Sequence, residues 1–193
     1  MLIQSGISFG EYLNADDVAR DLVGPPKLIA AKAQQIVRDQ RIAALAAGRD
    51  HAFETVMSHP SHIEYMRAAA VAGFTVRLFF VATEDPLINV GRVASRVSRG
   101  GHDVPKDRIV ARYRRCLDNL PDAISASHIC DIYDNSSADD PLRRICQISG
   151  IEGSTCNLRE NMANHYKFRR TNTRVNWCRE ALAPHNTFLG RHL

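Results

Sequence analysis

Hydrophobic and polar residues along this chain follow two alternating periods, one typical of β-strands and one typical of helices. Short runs rich in aromatic and β-branched residues predict four strands. These runs are Glu11–Asn14, His51–Val56, Phe74–Thr83 and Ile129–Tyr133. Between them, apolar residues at helical spacing and helix-ending residues predict helices. The predicted helices run from about Lys27 to Ala47, from Ser61 to Gly73, and onward from Pro86 and from Pro105.

This alternation of strands and helices predicts an α/β fold with a mostly parallel sheet and helices on both faces. Each predicted strand is followed by polar side chains, and sheets of this kind bind ligands at the carboxyl ends of their strands. The polar groups are Asp16-Asp17, Ser58-His59, Thr83-Glu84-Asp85 and Asp134-Asn135-Ser136. We therefore expect a binding site along one rim of the sheet.

The alternation weakens after about Pro141, where asparagine, arginine, threonine and serine are frequent. The length of 193 residues suits one domain with a sizeable core. We therefore expect an α/β domain over residues 1–140, followed by an irregular or weakly helical tail over residues 141–193.

The composition, with 45% hydrophobic and 24% charged residues, is that of an ordinary soluble globular protein. No apolar run is long enough to span a bilayer, and the first residues lack the pattern of a signal peptide. These features predict a cytoplasmic protein without a membrane partner. The five cysteines are odd in number and include no CxxC pair, so we expect free thiols and no zinc site.

Residues 92–115, RVASRVSRGGHDVPKDRIVARYRR, hold seven arginines, one lysine and only two acids. Arg92, Arg96 and Arg99 stand at spacing i, i+4, i+7, and the second half of the segment repeats that spacing. If both halves are helical, each places three guanidiniums on one face, with a Gly-Gly pair between the halves. We call residues 92–115 the arginine hairpin.

Arginine forks stabilise charge on phosphoryl groups, so the arginine hairpin is typical of a lid over a nucleotide's phosphates. The alternative is a solvated basic face, although few glutamates are available to pair with these arginines. Nucleic-acid binding is disfavoured because the net charge is only +4 and Tyr113 is the one aromatic ring in the hairpin.

Four short segments together resemble the zeta-toxin family of P-loop kinases. They are Asn14-Ala15-Asp16, the run FETVMSHP from Phe53 to Pro60, Gly100-Gly101-His102 and Asp134-Asn135-Ser136. The resemblance covers about two thirds of the chain, from Gly6 to Ser136. It implies a P-loop NTPase-like fold and a kinase that transfers the ATP γ-phosphate, with Mg²⁺, to a hydroxyl of a sugar nucleotide such as UDP-N-acetylglucosamine. It also implies a possible antitoxin partner.

The resemblance assigns roles on both sides of this reaction. Asp16 would be the catalytic base for the substrate hydroxyl, and Glu54 and Thr55 would bind the sugar substrate. Independently, a glutamate inside an apolar strand is costly to bury unpaired, which makes Glu54 a site candidate. For Asp16 the alternative is a simple helix cap.

Four further residues are assigned to ATP. The resemblance implies phosphate contacts from arginines of the hairpin, for which Arg96, Arg99 and Arg112 are the candidates. Asn135 follows the last predicted strand, where P-loop kinases often hold the adenine. Its alternative is a turn-forming Asn-Ser pair.

The Walker A motif, G-x-x-x-x-G-K-[ST], does not occur in the sequence, and Gly24-Pro25-Pro26-Lys27 is the nearest stretch. In the resembled family this loop lies upstream of the Asn-Ala-Asp turn, so we expect the first strand and the P-loop to be missing here. The loop supplies an N–H cradle, a lysine and a magnesium-holding hydroxyl. We therefore expect the chain by itself to be unstable or to have little kinase activity.

A start-site error, a decayed gene and half of a split protein would each account for that absence. The alternative function is a non-catalytic nucleotide- or partner-binding remnant of the same fold.

Overall fold

The computed structural model describes residues 10–101 and 103–149, which form two compact units. The first unit extends to Val56 and includes Val71–Phe74, and the second comprises Met57–Ala70 and the chain from Thr75. Each unit combines helices with strands, so the predicted α/β character is confirmed. Within the described ranges, no helix is both long and apolar enough to cross a membrane.

The first unit carries two strands and two helices. In chain order they are β1 (Glu11–Leu13), α1 (Ala15–Arg20), α2 (Pro26–Ala46) and β2 (His51–Phe53). The strands are parallel, and Leu13 is the register partner of Phe53. Leu13 is buried, as are Ala33, Val37 and Ala44 on α2, and β1 contacts this helix.

Local chemistry explains where the helices of the first unit begin. The side chain of Asn14 caps α1 by accepting a hydrogen bond of 2.9 Å from the backbone N–H of Asp16. Pro26 occupies the first position of α2, where its missing N–H costs nothing and its fixed φ suits the helix. The predicted Asn-Ala-Asp turn is therefore the start of a short helix.

Over its described residues, the second unit carries three helices and a three-stranded sheet. In chain order they are α3 (Ser61–Val71), β3 (Arg77–Ala82), α4 (Pro86–Val97), α5 (Lys106–Ser125), β4 (Ile129–Asp134) and β5 (Arg143–Ser149). The strand order is β3-β4-β5, with β3 and β4 parallel and β4 and β5 antiparallel. The arginine hairpin is helical over most of its length, as predicted, since residues 92–97 belong to α4 and residues 106–115 belong to α5.

One face of this sheet packs on α3 and α5 to form the core of the second unit. Alternate residues of each strand, such as Phe80 on β3 and Ile132 on β4, contribute to it, together with Ile63 of α3 and Leu120 of α5. Cys130 and Cys146 are buried in this core, and Cys116 packs against it. Cys156 and Cys178 lie outside the described residues.

Strand β5 corrects the expected irregular tail after residue 140, of which residues 150–193 lie outside the described ranges. A period-2 signal is present, since Cys146 and Ile148 are buried on either side of exposed Gln147. This alternation covers only a few residues, because a register shift at Ile132/Tyr133 interrupts the pairing of β5 with β4. So short a pattern is not recognisable in the sequence. The strands also form two separate sheets within the described residues, where one mostly parallel sheet was predicted.

The other face of the three-stranded sheet contains a fully buried carboxylate, that of Asp131. Arg77 donates two hydrogen bonds to its Oδ2, of 3.0 and 2.8 Å, and Gln147 donates one of 2.7 Å to its Oδ1. Arg144 approaches the same Oδ1 at 3.8 Å from a mostly exposed position. A buried charge of this kind is stable only while its partners remain in place.

Candidate functional site

The parallel strands β3 and β4 end at the same edge of the sheet, and both ends are polar, as the sequence predicted. Ser136, after β4, accepts a hydrogen bond of 2.8 Å from the backbone N–H of Glu84, which follows β3. The backbone N–H of Asn135 also donates to the carbonyl of Ala82 at 2.8 Å. These bonds tie the two strand ends into one continuous rim, which we call the β3–β4 rim.

The β3–β4 rim borders an open cavity of about 260 Å³. Its lining residues are Glu84, Asp134, Ser136, Ser137, Asp140 and Arg143. The lining combines three carboxylates with one guanidinium, and that guanidinium is already engaged, because Arg143 contacts Asp134 at 3.3 Å and Asp140 at 3.6 Å. The cavity therefore repels phosphate and suits ligand groups that donate hydrogen bonds, such as hydroxyl or amino groups.

Asp134 is the buried carboxylate at the bottom of this network. Burial opposes its ionisation, but hydrogen bonds from the hydroxyl and N–H of Ser136 and from Arg143 outweigh burial, and the pKa of Asp134 lies below its ordinary value. The side chain is thus a permanent anion at neutral pH. Its role is to orient Ser136 and Arg143 at the cavity wall.

The lowered pKa of Asp134 predicts a pH dependence of stability. Because the folded-state pKa lies below the unfolded value of about 3.9, the stabilisation is complete above that pH and is lost as the pH falls through the folded-state pKa. We expect Asp134→Asn to make the loss of stability below about pH 4 less steep. Urea unfolding between pH 2 and pH 7 measures this slope, with exposed Asp139→Asn as the matched control. Identical slopes for wild type and Asp134→Asn would contradict the expectation.

The arginine hairpin begins directly at this rim. Asp85 caps α4 by accepting a 2.7 Å hydrogen bond from the N–H of Leu87, and Arg92 on α4 donates to the backbone carbonyl of Asn135. Arg92 therefore binds the rim itself, whereas Arg96 is exposed one turn further along α4. Asn135 takes part in the rim through its backbone.

The Gly-Gly pair in the hairpin ends the first helix. Gly100 has φ +89°, its N–H donates to the carbonyl of Val97, and the N–H of Gly101 donates to the carbonyl of Arg96 at 3.0 Å. This pair of bonds with a left-handed residue is a common helix terminus. A Cβ on Gly101 would lie 2.6 Å from the Cγ of Arg96, so both glycines are required by the turn. His102 lies outside the described residues.

The remaining predicted ATP residues differ in their environment. Arg99 lies just past α4 and is exposed, and its Nε donates to the carbonyl of Ser95 at 3.1 Å. Arg112 is half-buried on α5. Arg96, Arg99, Arg112 and Asn135 all belong to the second unit.

The predicted substrate residues Asp16, Glu54 and Thr55 all belong to the first unit. Asp16 lies exposed in the first turn of α1, and neighbouring Asp17 pairs with Arg20 at 2.6 Å. The helix cap is Asn14, so Asp16 does not cap α1 with its own side chain.

Glu54 lies after the end of β2, together with Thr55, and both are exposed. The argument that Glu54 is buried within a strand is therefore wrong, because β2 ends at Phe53 and not at Val56. Glu54 instead hydrogen-bonds Tyr12, and burial followed by this contact raises the pKa of the Tyr12 hydroxyl to about 12. The assignment of Glu54 to substrate stays a prediction on the resemblance alone.

Three polar residues of the second unit escaped sequence reasoning as a group: Thr83, Asn89 and Tyr113. The side chain of Asn89 donates to the hydroxyl of Thr83 at 2.9 Å, and the hydroxyl of Tyr113 donates to the carbonyl of Thr83 at 2.8 Å. The only sequence signal was a threonine at a strand end. Its partners lie 6 and 30 residues away, and no local pattern connects them.

Within the described residues, no group of three or more His, Cys, Asp or Glu side chains has an arrangement that could hold a metal ion. Compared with models of known protein families, with curated proteins and with solved structures, the chain matches none.

Proposed function

We propose that this chain belongs to a kinase that binds ATP and transfers its γ-phosphate to a hydroxyl of a sugar nucleotide such as UDP-N-acetylglucosamine. One observation carries the proposal: an arginine-rich helical hairpin is attached, through Arg92, Asn89 and Tyr113, to a polar rim at the carboxyl ends of two parallel strands. Parallel sheets bind ligands at such rims, and arginines are suited to phosphates.

Within the second unit, the phosphates and the nucleoside of ATP would contact surfaces of opposite charge. The arginine hairpin offers cations for the phosphates, with Arg96, Arg99 and Arg112 as the candidates. The cavity beside the rim has an excess of carboxylates, so it suits the hydroxyl and amino groups of the nucleoside. Asn135 stands at the rim next to this cavity and is our candidate for the base.

Asp16, Glu54 and Thr55 are our candidates for the acceptor substrate in the first unit. Asp16 is exposed, and its carboxylate makes no hydrogen bond or ion pair within the described residues, which suits a group that accepts a proton from a hydroxyl. Glu54 is exposed and its carboxylate already accepts from Tyr12, which suits hydrogen bonding to sugar hydroxyls.

A second function, binding of a nucleotide or protein partner without phosphoryl transfer, is favoured by a different observation. The sequence contains no G-x-x-x-x-G-K-[ST] loop to donate N–H groups and a lysine to the β- and γ-phosphates. An antitoxin-like protein is the partner class that the family resemblance implies. A protein that only binds nucleotides and a kinase would both bind ATP. The two functions are therefore distinguished by measuring phosphoryl transfer.

We expect the chain to bind ATP. Each of the variants Arg99→Ala and Arg112→Ala should weaken that binding about tenfold, since a charge-assisted hydrogen bond contributes about 1.5–3 kcal/mol. Equilibrium titration with fluorescent ATP measures the dissociation constants. Arg114→Ala is the matched control, because Arg114 is an exposed arginine on α5, the helix of Arg112, and is not one of the predicted phosphate contacts. An equal loss in all three variants would indicate a diffuse basic surface, and no ATP binding by the wild type would contradict the kinase.

Transfer is measured with γ-labelled ATP and UDP-N-acetylglucosamine as acceptor. The kinase predicts label on the sugar nucleotide, and Asp16→Asn should abolish labelling while ATP affinity stays within about twofold. Asp21→Asn, an exposed aspartate at the other end of α1, is the control. ATP binding without labelling in the wild type would favour the second function.

A further inference from the structure

The buried residue Thr83 joins both helices of the arginine hairpin to the end of β3. Its hydroxyl accepts from Asn89 of α4 and donates to the carbonyl of Asp85, and its carbonyl accepts from Tyr113 of α5. Thr83 is 4% exposed, so these bonds are shielded from competing water.

A fourth residue attaches the hairpin to the end of the neighbouring strand. Arg92, one turn after Asn89 on α4, donates to the carbonyl of Asn135 after β4. The hairpin is therefore held at two adjacent strand ends by Asn89, Arg92 and Tyr113. We call these three residues, together with Thr83, the hairpin anchor.

We infer that the hairpin anchor positions the arginines: it sets the angle at which α4 and α5 leave the sheet, and through that angle the affinity for a phosphate-bearing ligand. Its members are positioning residues, because their hydrogen-bonding groups are used within the protein. The effect on ATP affinity rests on the proposed function, whereas the anchoring of the helices does not.

The physical reason is leverage along α4. Arg96 lies seven residues beyond Asn89, about 10 Å along a helix that rises 1.5 Å per residue. A tilt of about 10° at the base would move Arg96 by about 2 Å, several times the roughly 0.5 Å tolerance of a working site. Loss of one anchoring bond therefore affects arginines that it does not touch.

The pKa of the Tyr113 hydroxyl is raised to about 12, first by burial and then by the neighbouring charges of Asp85 and the ionisable groups Cys116 and Glu84. Tyr113 is thus a hydrogen-bond donor throughout the physiological range. The hydroxyl of Tyr113 lies 2.8 Å from the carbonyl oxygen of Thr83. Tyr113→Phe removes this hydrogen bond and keeps the ring, so it is the anchoring bond that can be removed with the least other change.

The experiment compares Tyr113→Phe with Tyr133→Phe, which removes the same atom from a half-buried tyrosine on β4 whose hydroxyl makes no hydrogen bond within the described residues. Hydrogen exchange without ligand is measured first. We expect amides of α4 and of the first turns of α5 to exchange about fivefold faster in Tyr113→Phe, while β3 and β4 are unchanged. Tyr133→Phe should leave α4 and α5 at the wild-type rate.

ATP affinity is measured second, in the wild-type background and in an Arg96→Ala/Arg99→Ala background. A positioning role predicts about fivefold weaker binding for Tyr113→Phe in the first background and a smaller loss in the second, where Arg112 alone of the three candidate arginines remains. A merely structural role would weaken binding equally in both. Unchanged exchange in α4 and α5, or equal losses of affinity in both backgrounds, would overturn the inference. If the wild type binds no ATP, the proposed function fails, and the exchange rates alone still decide whether the anchor exists.

Discussion

Replacement of Arg77 by methionine is expected to lower the free energy of unfolding by about 3–5 kcal/mol, the usual cost of breaking a buried ion pair from one side. Asp131 is fully buried and accepts two hydrogen bonds from Arg77 on the same oxygen. Methionine keeps much of the aliphatic bulk of arginine but, among the described residues, leaves the carboxylate with Gln147 as its one close donor. Urea unfolding followed by circular dichroism measures the change.

Arg144→Met is the matched control for this prediction, because Arg144 stands 3.8 Å from the same carboxylate but its side chain is 59% exposed. Solvent screens such a contact, so we expect a loss of at most about 1 kcal/mol. Adding Asp131→Asn to Arg77→Met should recover part of the stability, since the buried group then carries no charge. Equal losses for Arg77→Met and Arg144→Met would show that the pair does not stabilise the second unit.

Gly10→Ala is expected to destabilise the first unit by about 2–5 kcal/mol, from a left-handed backbone and a steric clash together. Gly10 has φ +65°, and a Cβ there would lie 2.1 Å from the carbonyl oxygen of Asp50. That oxygen accepts a 3.0 Å hydrogen bond from the N–H of Glu11. The clash therefore falls where β1 and β2 begin to pair. Thermal unfolding and proteolysis between α2 and β2 report the loss.

Gly48→Ala separates the two contributions. Gly48 also has a positive φ, of +64°, but a Cβ there would meet nothing within 4 Å. Only the backbone cost of about 1–2 kcal/mol is expected. If the two alanine variants were equally destabilised, the contact with Asp50 would contribute nothing.

The structure changes how the arginine hairpin is interpreted. By spacing alone, Arg92, Arg96 and Arg99 form one equivalent row. In the folded chain Arg92 is used to hold the rim, and Arg99 lies beyond the helix in the turn that Gly100 permits. A periodic row of like side chains is thus divided by the fold, and Arg92 has its partner on the neighbouring strand end.

Sequence reasoning located most of the helices and strands because the signals for them are local. Pro26, Asp85 and the apolar periods lie within a few residues of the structure that they start, and α2, α4 and α5 begin within one residue of their predicted positions. It predicted four polar strand ends along one rim, of which the structure brings together those of β3 and β4, because these two strands are parallel neighbours, whereas β1 and β2 pair in a separate sheet. It failed where a strand was short or irregular, as with β5 and the end of β2.

Tertiary structure alone decided which polar groups are buried and which of them are joined. Asp131 and Arg77 are 54 residues apart, and Tyr113 and Thr83 are 30 apart, so no local pattern distinguishes these residues from exposed ones. Glu54 shows the converse, because a glutamate that the sequence placed inside a strand is exposed, since β2 ends at Phe53, three residues before its predicted end at Val56. The sequence by itself determined the elements and the concentration of arginine. The pairing of strands determined where those arginines are anchored, because hydrogen bonds between distant residues form only once the sheet brings them together.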